Sequence, residues 1–252
     1  MAKERLDKLL SHEGFGSRKD IKKMLRSRTV LINGKQIFDS SIQVDADKDA
    51  IIIDGEKIDF HRNIYLMMNK PQHVVSSSKD GEHQTVFDLL DESLRTPYLV
   101  EKLHLVGRLD MDTEGLLLFT TDGELTHRLI SPKSHISKTY FCGLEHAEPE
   151  NRQTEIAKLF KDGIFVGPDD NEPGFKCQSA FIEWKNEKSA LLTIYEGKYH
   201  QVKRMFTAVG NKIVYLKRIS MGNLQLDENL SLGEYKFLDD ADLQKLNWLI
   251  NL

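Results

Sequence analysis

The sequence predicts an α+β protein in two parts: a small basic α/β module over residues 1–58, and a larger domain over 64–252 built on a mixed, mainly antiparallel sheet. Three observations predict it. Basic side chains crowd the front of a chain that is acidic overall. Two helix-spaced segments and two strand–turn units fill residues 1–58. Short apolar runs recur through the remainder without helices of about 10–15 residues regularly between them, which disfavours a doubly wound parallel sheet.

A formal net charge of −4 excludes a chain that coats nucleic acid over its whole surface, so any such contact must come from a local patch. Residues 1–35 supply one, with ten basic side chains (Lys3, Arg5, Lys8, Arg18, Lys19, Lys22, Lys23, Arg26, Arg28, Lys35) against four acidic ones (Glu4, Asp7, Glu13, Asp20). No stretch approaches the roughly 18 apolar residues of a membrane span, and Met1-Ala2-Lys3-Glu4-Arg5-Leu6 lacks the apolar run of a secretory signal, so a cytoplasmic protein is expected. Two cysteines, Cys142 and Cys177, cannot build a disulfide framework and read as small buried hydrophobes.

Leu6, Leu9 and Leu10 stand at helical spacing, and Gly14 and Gly16 end that helix. Ser17 with Asp20 three residues on has the form of a capping box and starts a second helix. Ile21, Met24 and Leu25 can face a core, while Arg18, Lys22 and Arg26 recur every four residues as a basic stripe, a pattern shared by RNA-binding faces and plain solvated ones. Val30-Leu31-Ile32-Asn33-Gly34-Lys35 reads as a strand entering a tight hairpin turn, and Ile51-Ile52-Ile53-Asp54-Gly55 repeats that pattern. Residues 56–63 are mostly polar without a clear period, which places a linker at 59–63.

In the larger domain Tyr65-Leu66-Met67-Met68 is an apolar run stopped by Asn69-Lys70-Pro71, and further strand-like runs fall at 114–120, 138–144, 164–166, 179–184 and 190–195. Ser76-Ser77-Ser78-Lys79-Asp80-Gly81 reads as a mobile loop. Val202, Met205, Phe206 and Val209 mark a helix closed by Gly210-Asn211.

Gly107-Arg108-Leu109-Asp110-Met111-Asp112-Thr113-Glu114-Gly115 is a glycine-bracketed loop dense in carboxylates. It reads as a surface loop whose acids cap and solvate, or as a site. A calcium loop fits its first positions but fails later: the twelfth position is Thr121 where a bidentate Glu is required, and Leu116-Leu117-Leu118-Phe119 is strand-like. Glu196-Gly197-Lys198-Tyr199-His200-Gln201-Val202-Lys203-Arg204-Met205 turns into a helix whose first turn carries Lys203 and Arg204, cations that can meet an anion or simply face water. His104 and His200 read as packing or surface residues, and the nine histidines show no metal spacing.

In order, Asn69-Lys70-Pro71, Gly107-Arg108-Leu109-Asp110 with its continuation to Leu117, Lys138-Thr139-Tyr140 and His200-Gln201-Val202-Lys203-Arg204-Met205 resemble the pseudouridine synthases of the RsuA type. The front, through Arg5-Leu6-Asp7-Lys8, Ser17-Arg18 and the Val30–Gly34 turn, resembles the ribosomal S4-type RNA-binding domain, which holds phosphates by shape and charge. The resemblance implies a small S4-type domain before a pseudouridine synthase catalytic domain. It implies Asp110 as the essential aspartate, Tyr140 as the aromatic that stacks on the target base, Lys203 as the cation paired with the aspartate, and Arg108 as support for that loop and part of the substrate-binding set. Arg5, Arg18, Lys19, Lys22 and Arg26 become the expected RNA contacts.

The implied chemistry breaks the bond from ribose C1′ to the base, turns the base and rejoins it through carbon. No cofactor or metal is called for. A carboxylate can attack C1′ or remove a sugar proton, and either route wants an ionised Asp beside a cation. The implied substrate is 16S rRNA, at uridine 516 of the small-subunit rRNA and within a small-subunit assembly intermediate, with the enzyme acting as a monomer. Two features depart from the family pattern. His73 stands where a glycine is expected, and Thr120-Thr121-Asp122-Gly123 varies from the usual turn, although Asp122-Gly123 can still form it.

Two alternatives stand beside this reading. Large-subunit (23S) enzymes of the family tend to carry Asn-Arg in place of His200-Gln201 and often have extended basic tails, whereas this sequence closes compactly at Leu252. A non-catalytic RNA-binding ribosome-assembly factor would keep the basic surface without needing the catalytic residues, all of which are present.

Overall fold

The computed structural model describes residues 3–13, 15–46, 48–58, 63–95, 97–170 and 172–248. It divides into two compact units, Met1–Ile64 with Asp91–Leu103, and Tyr65–Leu90 with His104–Leu252. Gly14 and all of the expected linker except Asn63 lie outside the described residues.

In the first unit α1 (Leu6–His12) and α2 (Arg18–Ser27) precede a four-stranded antiparallel sheet of β1 (Val30–Ile32), β2 (Lys35–Gln36), β3 (Ile51–Ile53) and β4 (Glu56–Ile58) in the order β2-β1-β3-β4. The capping box is present: Asp20 N–H donates to Ser17 Oγ and Ser17 N–H to Asp20 Oδ2, satisfying two amides that helix geometry leaves open. Both hairpins turn on two left-handed residues, Asn33-Gly34 (φ 51° and 77°) and Asp54-Gly55 (φ 50° and 90°), the backbone that a two-residue type I′ turn requires. Leu6, Leu10, Ile21 and Leu25 from the helices pack on Val30, Ile51 and Ile53 from the sheet. Each such burial contributes about 1.5–3 kcal/mol.

The second unit is built on a nine-stranded sheet. Its main path joins β5 (Tyr65–Lys70), β6 (Glu114–Thr120), β7 (Lys138–Leu144), β8 (Phe181–Asn186), β9 (Ser189–Ile194), β10 (Ile213–Met221) and β11 (Tyr235–Phe237) in the order β8-β9-β7-β10-β6-β5-β11. Every pairing is antiparallel except β6 with β10. That parallel contact occurs at Glu114–Lys217 and Gly115–Arg218, and β6 is buried along its whole length, as its apolar run demands. β7 alternates instead, which puts Lys138, Tyr140, Cys142 and Leu144 on its buried face.

Helices α3 (Gly123–Ile130), α4 (Glu150–Asp162), α5 (Gln201–Ala208) and α6 (Asp240–Trp248) complete this unit. Between β6 and α3 the Asp122 carboxylate accepts from Leu125 N–H and caps the helix that Gly123 begins. The 164–166 run forms only a two-residue strand, Phe165–Val166, paired with Phe175–Lys176. Both cysteines are buried, and burial pushes the Cys177 thiol up to about 11. No described helix is long and apolar enough to cross a membrane.

Candidate active site

The loop that enters β6 is held by its backbone. Lys70, at the end of β5 and with no exposed surface, donates to the carbonyl oxygens of Pro71 (2.9 Å), Asp110 (3.0 Å), Met111 (3.3 Å) and Thr113 (3.0 Å). Burial pulls its ammonium down to about 8, against the raising effect of Asp110, Asp112 and Glu114. Ser76 completes the clamp, its hydroxyl donating to Leu109 O at 2.7 Å and accepting from Leu109 N–H at 3.1 Å. His73 takes φ 64°, the left-handed backbone that suits the glycine expected there, and its N–H reaches Met111 O at 2.8 Å.

Asp110 is thereby presented at a cleft of about 520 Å³. Lys203, from the first turn of α5, lies across it: its Nζ is 3.0 Å from Asp110 Oδ2 and 2.6 Å from Asp112 Oδ1. Burial penalises the Lys203 ammonium, but the two carboxylates outweigh it and hold its pKa above the ordinary value. Asp112 likewise loses hydration, yet the hydrogen bond and charge of Lys203 hold it below the usual carboxylate range. Tyr140 lines the same cleft from β7, 8% exposed. Arg108 lines it as an exposed residue; the supports of the loop are Lys70 and Ser76.

His200 was expected to be a packing or surface residue, but it stands beside Asp110. Its Nε2 is 3.9 Å from Asp110 Oδ2 and its Nδ1 is 2.8 Å from Asp169 Oδ2, while the ring stacks on Tyr199 at 3.7 Å between centroids. Left-handed backbone at His200 (φ 48°), where α5 begins, aims the ring this way. Sequence gave little signal for this, because the turn type that directs a side chain is set by its surroundings. Asp169, Asp170 and His200 form the one group, among the described residues, whose donor atoms could hold a metal ion, all lying within 4.8 Å of one another. All three residues already bond within the protein, Asp169 with His200 and Asp170 with the Tyr199 hydroxyl at 2.9 Å.

In the first unit Arg18, Lys19, Lys22 and Arg26 are exposed along α2, and none forms an ion pair with another described residue. Arg5 differs. Its guanidinium makes a forked contact with the buried carboxylate of Asp7, at 3.1 and 2.6 Å, so much of its hydrogen-bonding capacity serves the fold.

The model of the RNA pseudouridylate synthase family matches residues 64–208, and that of the S4 domain matches 4–51. The chain belongs to the RNA pseudouridylate synthase family. It is an RNA pseudouridine synthase of the RsuA type, an isomerase. Among its relatives, Bacillus subtilis (strain 168) "Uncharacterized RNA pseudouridine synthase YtzG" is 45% identical over 249 residues, covering 96% of this chain and 98% of the relative. Haemophilus influenzae "Ribosomal small subunit pseudouridine synthase A" is 39% identical over 243 residues, covering 96% and 99%. A solved structure described as "Crystal structure of pseudouridylate synthase" superposes with a TM-score of 0.64 at 37% identity, over 96% of this chain and 99% of that one. Asp110, Tyr140, Lys203 and His200 all fall within the residues that the synthase family model spans.

Proposed function

We propose that this synthase isomerises a specific uridine of 16S rRNA, by resemblance uridine 516, with Asp110 as the reacting carboxylate. One observation carries the catalytic assignment: Asp110 stands in the cleft with the Lys203 ammonium 3.0 Å away, the paired cation that both possible routes call for beside the carboxylate. Tyr140 offers its ring to the flipped base, and stacking of this kind offsets about 1–3 kcal/mol of the unstacking cost. The exposed cations Arg18, Lys19, Lys22 and Arg26 of the S4 domain, with Arg5 contributing what Asp7 leaves free, hold RNA phosphates. Residues 1–58 are the grip and 64–252 the catalyst, acting as a monomer in the cytoplasm on a small-subunit assembly intermediate. The small-subunit assignment is supported by the relatives named as ribosomal small subunit pseudouridine synthase A.

The test is chemical mapping of pseudouridine in small- and large-subunit rRNA from cells with the gene, without it, and with Asp110→Asn supplied in its place. Loss of one 16S site that the variant does not restore supports the reading. A lost 23S site moves the substrate to the large subunit, and no lost site in either RNA removes rRNA as the substrate.

A further inference from the structure

Two further cations sit deep in the same cleft. Lys138 and Arg218 are 9% and 2% exposed, and both line it beside Tyr140. Lys138 and Tyr140 share the buried face of β7, and Arg218 is the register partner of Tyr140 on β10, so the three form one patch. Neither cation has a carboxylate partner among the described residues. Lys138 Nζ reaches only the Ile136 carbonyl, at 3.3 Å, and Arg218 spends its Nε on Leu116 O at 2.8 Å. Arg218 Nη2 is buried with no hydrogen-bond partner among them. The buried Glu196 carboxylate on another wall is already committed to Gln178 N–H, Gln201 Nε2 and Lys198.

Two unneutralised cations buried together are costly, and the bond from Arg218 Nε to Leu116 on the neighbouring strand leaves its Nη2 without a partner among the described residues. Burial, with Arg218 close by, pulls Lys138 down to about 8. Such a patch suits a ligand that brings negative charge to the depth of the cleft. Depth selects between two sources. Arg108 and Lys198 are exposed at the mouth, where a phosphate could be met, whereas a base lying on the more deeply placed Tyr140 would set its carbonyl edge against Lys138 and Arg218.

Building on the pseudouridine reading, we infer that Lys138, assisted by Arg218, is a catalytic residue that stabilises the negative charge developing on the uracil as its glycosidic bond breaks. When C1′–N1 breaks, the electron pair stays with the ring, and the charge spreads over N1, O2 and O4. The base turns and C5 bonds to C1′; the C5 proton then leaves and N1 takes one up, so substrate and product are isomers and no oxidant or reductant enters. A donor aimed at O2 or O4 gains strength as the anion forms, which is the condition for lowering the barrier.

The experiment compares wild type, Lys138→Met and Lys138→Arg under single-turnover conditions on a 16S fragment containing the modified uridine, together with the RNA Kd and Tm of each. The expected result is a rate about 100-fold lower for Lys138→Met, with Kd within about threefold, and recovery to within about tenfold of wild type for Lys138→Arg. A Lys138→Met rate equal to wild type overturns the inference, as does a normal rate with a Kd weakened about tenfold, which would make Lys138 a phosphate contact. If Lys138→Met fails to fold, Lys138→Gln decides in the same way. Failure of wild type itself to make pseudouridine in this RNA would instead overturn the substrate reading beneath it.

Discussion

The buried ammonium of Lys70 donates to the carbonyl oxygen of Asp110 at 3.0 Å. Three more carbonyls of the same neighbourhood converge on that nitrogen, so one side chain at the end of β5 fixes the backbone from which the proposed catalytic carboxylate projects.

Lys70→Met should therefore strand buried acceptors, destabilise the protein by about 2–4 kcal/mol and lower the rate with it. The effect has a pH signature. The Lys70 pKa is near 8 in the fold and at the ordinary 10.5 in the unfolded chain, so between those values the unfolded state binds more protons and stability rises with pH. Urea unfolding from pH 7.5 to 10.5 should show wild type gaining on Lys70→Met by at most about 3 kcal/mol. A constant difference across that range would contradict the buried, charged lysine.

Asp110→Asn keeps the shape of the loop and removes the charge. The expected single-turnover rate is at least about 1,000-fold lower, with RNA affinity within about tenfold, or 1.4 kcal/mol. Pseudouridine formed at the normal rate would remove Asp110 from the chemistry.

Local devices of this fold were legible in the sequence, and contacts between distant segments were not. Ser17 with Asp20 and the Asn33-Gly34 turn are written within a few residues, so their physics acts before any tertiary structure exists. Asp110 and Lys203 came together only through the family resemblance. Asp112, the second partner of Lys203, was read as part of an acidic loop, because nothing local says which of two neighbouring carboxylates a distant cation will meet. Lys70 was read only as part of the Asn69-Lys70-Pro71 motif, and its clamping role was hidden, since its burial arises when β5 is enclosed between β6 and β11. The parallel pairing of β6 with β10 was equally hidden: strand period fixes faces, not partners.

Gly115 marks that pairing. It has φ 103°, and a Cβ there would lie 2.2 Å from the Arg218 carbonyl oxygen and 2.9 Å from its nitrogen. Backbone cannot yield as a flexible side chain would, so Gly115→Ala should cost more than about 3 kcal/mol and leave little soluble protein. A Tm within a degree or two of wild type would show that the two strands are not so closely apposed.

Lys203→Met should lower the rate about 100-fold by leaving Asp110 and Asp112 without their shared cation, while Lys203→Arg keeps the charge and should lose far less. Equal losses in the two variants would mean that the shape of the lysine, and not its charge, is what matters at this position.

The basic face of α2 makes a separate claim, on binding and not on chemistry. Arg18, Lys22 and Arg26 are exposed and serve no described ion pair, so replacing all three with Ala should leave Tm nearly unchanged. If each neutralises one RNA phosphate, the slope of log K against log salt should flatten by about 2 to 3, since each contact releases most of one counterion. Affinity should fall at low salt and converge on wild type at high salt, with the single-turnover rate at saturating enzyme unaltered. Titrations across a salt series measure both. An unchanged slope would show that this helix face meets only water, and that the S4 domain holds RNA through another surface.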